Sequence, residues 1–241
     1  MIVSFRHNFV FIKTQKTGGT SVEIALTPFL GSDDIVTPIA FTDERMRISG
    51  GIVQARNYSD DPKLEESFRG AIFSSNQPAA QAVMTTLRAG AGFYNHMPAA
   101  AASKRLGDDF WRAAFKFAIQ RHPYEKAVSW AWFRMAGSGA PREALPRFLE
   151  EAVRKLPLDQ TELYTVDGKS AVDRLLRQET LADDMAEVAR TIGIGPVGEL
   201  PRAKGDLRSD RRPAREILTP EQRRIVYERA RRVFDACGYE P

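Results

Sequence analysis

Two lysines, two glycines and several hydroxyl side chains crowd into nine residues, Lys13 to Ser21, in the stretch KTQKTGGTS. These residue types suit a compact anion. A lysine supplies a point charge, threonine and serine donate hydrogen bonds, and paired glycines let the backbone turn sharply and approach a ligand closely. The apolar residues 9–13 read as a short buried strand and residues 20–30 as a helix that stops near Pro28 or Gly31. At such a junction the first helical N–H groups lack intrahelical partners, and the helix dipole favours negative charge there. Lys16, Thr17, Gly18, Gly19, Thr20 and Ser21 are therefore candidate phosphate ligands. Lys13, at the strand end, either joins them or is a solvated flank. A Walker A loop would place its lysine after the glycines, whereas Lys16 precedes Gly18 and Gly19; a magnesium-dependent nucleoside triphosphate site is disfavoured. A plain strand-to-helix turn capped by Thr20 or Ser21 accounts for the glycines and one hydroxyl but not for the lysine.

A second junction lies in FKFAIQRHPYEKAVSWAWF. Residues 115–120 read as another buried strand, and Pro123 can open a helix because its missing N–H is not needed there. Arg121 can make a forked, charge-assisted contact to a phosphate. Ser129 lies about two turns into the helix, consistent with a hydroxyl facing the same place. On base rates Trp130, Trp132 and Phe133 read as core. The chain has three histidines. His7 reads as a surface residue and His122 as a neighbour of the phosphate arginine. His96, in FYNHMP, is either a hydrogen-bonded loop residue or a base that titrates near neutrality.

Strands alternating with helices imply an α/β domain around a mainly parallel sheet. Helices are expected over 77–88, 98–106, 123–135, 143–155 and 181–192, with strands over 162–166 and 172–177 around the turn Asp167-Gly168. A last helix follows Thr219 as N-cap, Pro220 at the first position and Gln222 at the capping-box position. Residues 31–75 read as loops with one minor element at most. The 241 residues carry a net charge of +4, and basic residues cluster at Arg202, Lys204, Arg208, Arg211, Arg212 and Arg215. That excess is mild for a nucleic-acid binder and suits a small polyanion; the cluster alone reads equally as a solvated loop. With Cys237 the sole cysteine, no intrachain disulfide can form, and a cytoplasmic setting is expected. No apolar run reaches the length of a membrane span.

The two junctions, in this order, resemble the phosphate-binding elements of sulfotransferases that use 3′-phosphoadenosine 5′-phosphosulfate (PAPS). KTQKTGGTS resembles their 5′-phosphosulfate loop, and Arg121 with Ser129 resembles their 3′-phosphate signature. The resemblance covers residues 9–30 and 93–241 and is nearest to the carbohydrate type, including heparan sulfate 2-O-sulfotransferase relatives and bacterial sulfotransferases. It implies a single domain over 1–241 with a P-loop-like three-layer fold, residues 31–92 being a variable insertion on the acceptor side. It further implies that Lys16 stabilises the leaving group, that His96 is the base, and that Lys204, Gly205 and Arg208 belong to a loop closing over the nucleotide. The products would be adenosine 3′,5′-bisphosphate and a sulfated carbohydrate or small metabolite, with no metal. A P-loop kinase and a noncatalytic nucleotide- or RNA-binding module are the alternatives.

Overall fold

The computed structural model of the chain describes residues 1–49, 55–200 and 208–241. Its central sheet has the order β3-β1-β2-β4-β7. The strands are β1 (Ile2–Ser4), β2 (Phe9–Ile12), β3 (Ile35–Val36), β4 (Phe115–Gln120) and β7 (Arg174–Arg177). β2 pairs in parallel with β4, and β4 with β7, while β1 is antiparallel to both of its neighbours. Four of the five strands therefore point one way, and β1 alone is reversed. The sheet is thus mixed but mostly parallel. All four residues of β2 are buried, as a strand covered on both faces requires.

Alternation along the strands feeds two apolar layers. Phe9, Phe11, Phe117 and Ile119 pack against Val22 and Leu26 of α1 (Gly19–Leu26) and against Leu181, Met185 and Val188 of α9 (Leu181–Thr191). Val10, Ile12 and Ala118 face the other way. They meet α3 (Pro62–Phe73), α4 (Gln77–Thr86) and α5 (Ala99–Leu106). The result is helix, sheet and helix in three layers. A further apolar cluster joins α7 (Pro123–Ser138), α8 (Leu145–Lys155) and α11 (Pro220–Cys237). α6 (Asp108–Ala113) leads into β4, and α10 (Ala214–Ile217) precedes α11. Among the described residues no helix is long and apolar enough to cross a membrane.

Several boundaries match the sequence reading. β4 and the start of α7 lie where expected, and the Thr219–Gln222 capping box is formed on both sides. Others differ. Residues 31–75 are no set of loops: they hold β3 at the sheet edge, α2 (Phe41–Ser49) and α3, while α4 lies where a helix was expected. Asp167 and Gly168, both at positive φ, turn a small hairpin between β5 (Thr165–Val166) and β6 (Lys169–Ser170), whereas β7 joins the main sheet. The chain leaves β2 for β3 on one side and β4 for β7 on the other. The order thus reverses between β2 and β4, and in open α/β sheets ligands bind outside the carboxyl ends of the strands at such a point.

Candidate functional site

Because Ile12 stands opposite Ala118, the loop after β2 and the arginine after β4 emerge side by side. Thr14 fixes this join, its hydroxyl donating to the carbonyl of Ile119 and meeting Thr17 Oγ1 at 2.9 Å. Thr17 is buried and turned into the loop, so it shapes the turn without lining the cleft. Lys16 is held at φ 62° and Gly18 at φ 84°, the left-handed region that strains any residue but glycine. Gly18 is the N-cap of α1 and no side chain caps the helix, so the alternative of a plain turn capped by Thr20 or Ser21 does not hold. Gln160 braces the loop from outside. Its Oε1 accepts the Gln15 N–H at 2.8 Å and the buried Lys126 ammonium at 3.0 Å.

Lys13 is buried, not a solvated flank. Its Nζ donates to Glu23 Oε2 at 2.6 Å and to Thr20 Oγ1 at 3.1 Å. Burial lowers its pKa, and Glu23 opposes that shift. Burial would raise the Glu23 carboxyl, but Lys13, the Met1 amine and Arg47 outweigh it and hold the group at about 2. Gly19 makes room for this pair: a Cβ there would lie 2.8 Å from Lys13 Cγ. Lys16, half-buried, places its Nζ 4.0 Å from the centroid of the Phe133 ring.

The α7 side of the cleft follows helical spacing. Glu125, Ser129 and Phe133 recur every fourth residue and all line it, together with Trp130 and Trp132. The three aromatics read as core therefore border the cleft; Trp132 is buried as well, while Phe133 is 38% exposed. Arg121 lies 3.6 Å from Glu125 Oε2, which Arg208 Nη1 approaches to 2.5 Å. Glu125 Oε1 accepts the Ala214 N–H at 2.8 Å. One carboxylate thus ties the segment before α10 to Arg121. Arg208, Arg211 and Arg212 line the cleft, whereas Lys204 and Gly205 lie outside the described residues.

His96 lines the cleft at the strand end that carries Lys13. Its Nδ1 donates to the Lys13 carbonyl at 3.0 Å, which in the neutral ring leaves Nε2 as an acceptor. Burial and the neighbouring Lys13 charge push its pKa down to about 3. The other two histidines serve the frame. His7 meets the Phe29 carbonyl at 3.1 Å and is half-buried, not a free surface group. His122 caps α7 by accepting from the Tyr124 N–H, and neither histidine lines the cleft.

The cleft has a volume of about 1010 Å³, at the upper end for a small-molecule site. It gathers Lys13, Lys16, Gly18, Gly19, Thr20, Ser21, His96, Arg121, Ser129 and Arg208 from four separate segments of chain. Three buried polar atoms on its lining residues lack hydrogen-bond partners: Arg121 Nε, Trp132 Nε1 and Asn95 Oδ1. The two donors belong to the β4–α7 side, and the acceptor belongs to the residue beside His96. Buried polar groups are seldom left unpaired; these three lie within the cleft walls and not on its open surface. Sequence reading missed Glu125 and Asn95. Glu125 was detectable from its four-residue spacing to both Arg121 and Ser129, whereas nothing in the local sequence singles out Asn95. No family model, curated protein or solved structure matches the chain.

Proposed function

We propose that this protein is a sulfotransferase that moves the sulfuryl group of PAPS to an acceptor hydroxyl. One observation carries the reading. The glycine loop with Lys16 and the Arg121, Ser129 and Arg208 group meet in a single cleft, which the His96 imidazole, seated against the Lys13 carbonyl, also lines. Two cationic anion sites at adjacent strand ends suit a donor with phosphates at both its 5′ and 3′ positions. Arg121 and Ser129 hold the 3′-phosphate, and Arg208, tied to Arg121 through Glu125, adds its charge beside them. The open first turn of α1 and the Thr20 and Ser21 hydroxyls take the phosphosulfate.

In the reaction, the acceptor oxygen attacks sulfur as its proton passes to His96 Nε2. The new O–S bond forms while the bond from sulfur to the bridging oxygen breaks, and its electron pair leaves on the 5′-phosphate of adenosine 3′,5′-bisphosphate. Lys16 stabilises that growing charge. Burial first, then the Lys13 charge, holds the His96 conjugate acid at about 3 and makes it a weak base in the free protein. A bound polyanionic donor opposes the Lys13 charge and so raises the basicity of the imidazole, while the part due to burial stays. The test is turnover with PAPS and a hydroxylated acceptor panel, read as bisphosphate release. Product formation that Lys16→Ala abolishes supports the reading. Release that is indifferent to Lys16, or a protein that binds ADP as well as adenosine 3′,5′-bisphosphate, contradicts it.

A further inference from the structure

Beside the main cleft lies a smaller chamber of about 150 Å³, lined in part by Pro38, Met84, Leu87 and Tyr94. It shares Ala40, Arg88 and Asn95 with the cleft, so the two lie side by side, with the residue next to His96 on both linings. The chamber is built largely from residues 31–92, the stretch for which the sequence offers no resemblance. α4 supplies Gln81 and Met84, and the irregular turn Leu87–Ala91 supplies Leu87 and Arg88.

We infer that this chamber is the acceptor subsite, and that the acceptor is a small phenol or aryl alcohol, an inference that rests on the sulfotransferase reading. A pocket of about 150 Å³ has room for one benzene-sized ring, and Pro38, Ala40, Met84 and Leu87 make one side of it apolar. A sugar ring of that size would bring hydroxyls around its whole edge; Gln81, Arg88, Tyr94 and Asn95 meet those on one side, but the apolar side gives the others no partners. A ring with one hydroxyl fits the division of the lining. Its apolar body lies against those apolar side chains, and its O–H points to the polar side at Asn95, a residue common to chamber and cleft. That orientation brings the hydroxyl toward His96, which lines the cleft with Lys16.

The test is a ligand-observed NMR titration of the protein loaded with adenosine 3′,5′-bisphosphate, using 4-methylphenol and methyl glucoside as probes. The phenol binds and the glucoside does not. Met84→Trp, which fills the chamber, weakens the phenol by about tenfold or more while the bisphosphate affinity stays unchanged. Should Met84→Trp itself lose the bisphosphate through misfolding, Gln81→Trp fills the same chamber from an exposed position on α4. Equal binding of the two probes, or phenol binding that neither filling variant alters, overturns the chamber assignment and leaves the donor reading intact. Failure of the wild type to bind the bisphosphate overturns the donor reading and this inference together.

Discussion

In the proposed reaction, Lys16 and His96 separate chemistry from binding. Lys16→Ala is expected to lower kcat by about 100-fold or more, the scale of losing one preorganised charge at a developing anion. His96→Asn is expected to lower kcat by a similar factor, within the usual range for a general base. It should leave bisphosphate affinity unchanged, since His96 touches the Lys13 carbonyl and not the Arg121 side. His96 also links stability to acid. Its folded pKa of about 3 lies below the ordinary histidine value, so the unfolded chain takes up the proton first. The stability it contributes is complete above about pH 6.5 and is lost as pH falls toward 3. Urea midpoints should therefore fall more between pH 7 and 4.5 in the wild type than in His96→Asn, and parallel curves would contradict a buried neutral imidazole. At this scale the glycine loop, Arg121 and Ser129 were legible because capping and dipole physics act within a few residues. Asn95 and the cleft-facing side of Trp132 were not, since which atoms remain unpaired depends on packing from distant segments.

Elements were legible where their ends carry explicit signals. Thr219, Pro220 and Gln222 announced α11. The same logic was present at α3, where Asp61 caps the helix by accepting the Lys63 N–H and Pro62 opens it, yet Asp60-Asp61-Pro62 reads as loop punctuation unless the following residues are tested for helical period. β1 and β3, three and two residues long, are too short for any period to show. Gly92 is a junction that only the structure explains. A Cβ there would lie 2.0 Å from the Tyr58 carbonyl oxygen, which also accepts the Phe93 N–H at 2.6 Å. Gly92→Ala should destabilise the fold by about 3 kcal/mol, read as a lowered denaturation midpoint. Lys126 gives α7 a pH signature. Burial among neutral acceptors, Leu158 O at 3.1 Å and Gln160 Oε1 at 3.0 Å, lowers its pKa to about 7. The unfolded chain holds that proton to about pH 10.4, so Lys126 makes stability rise from pH 7 to 10. The rise should be smaller in Lys126→Met.

Across the whole molecule, the order of the sheet does most to place the site. β2 and β4 are neighbours although about a hundred residues separate them, and no sequence period foretells that pairing or the reversed direction of β1. The α/β alternation was legible; the strand order was not, because it is decided by long-range packing. The same long-range closure buries the charges around Glu23, which pairs with Lys13 at 2.6 Å and lies 3.7 Å from Arg47. Glu23→Gln leaves those cations without their shared carboxylate and should cost about 3–5 kcal/mol. Calorimetric unfolding would show it as a large fall in Tm, and a Tm near that of the wild type would contradict the pairing.

The central claim, that two phosphate sites meet in one cleft, is tested most directly by calorimetric titration with adenosine 3′,5′-bisphosphate beside ADP. The account predicts clear binding of the bisphosphate, much weaker binding of ADP, and a preference that Arg121→Ala removes. Equal affinity for the two nucleotides in the wild type would contradict it.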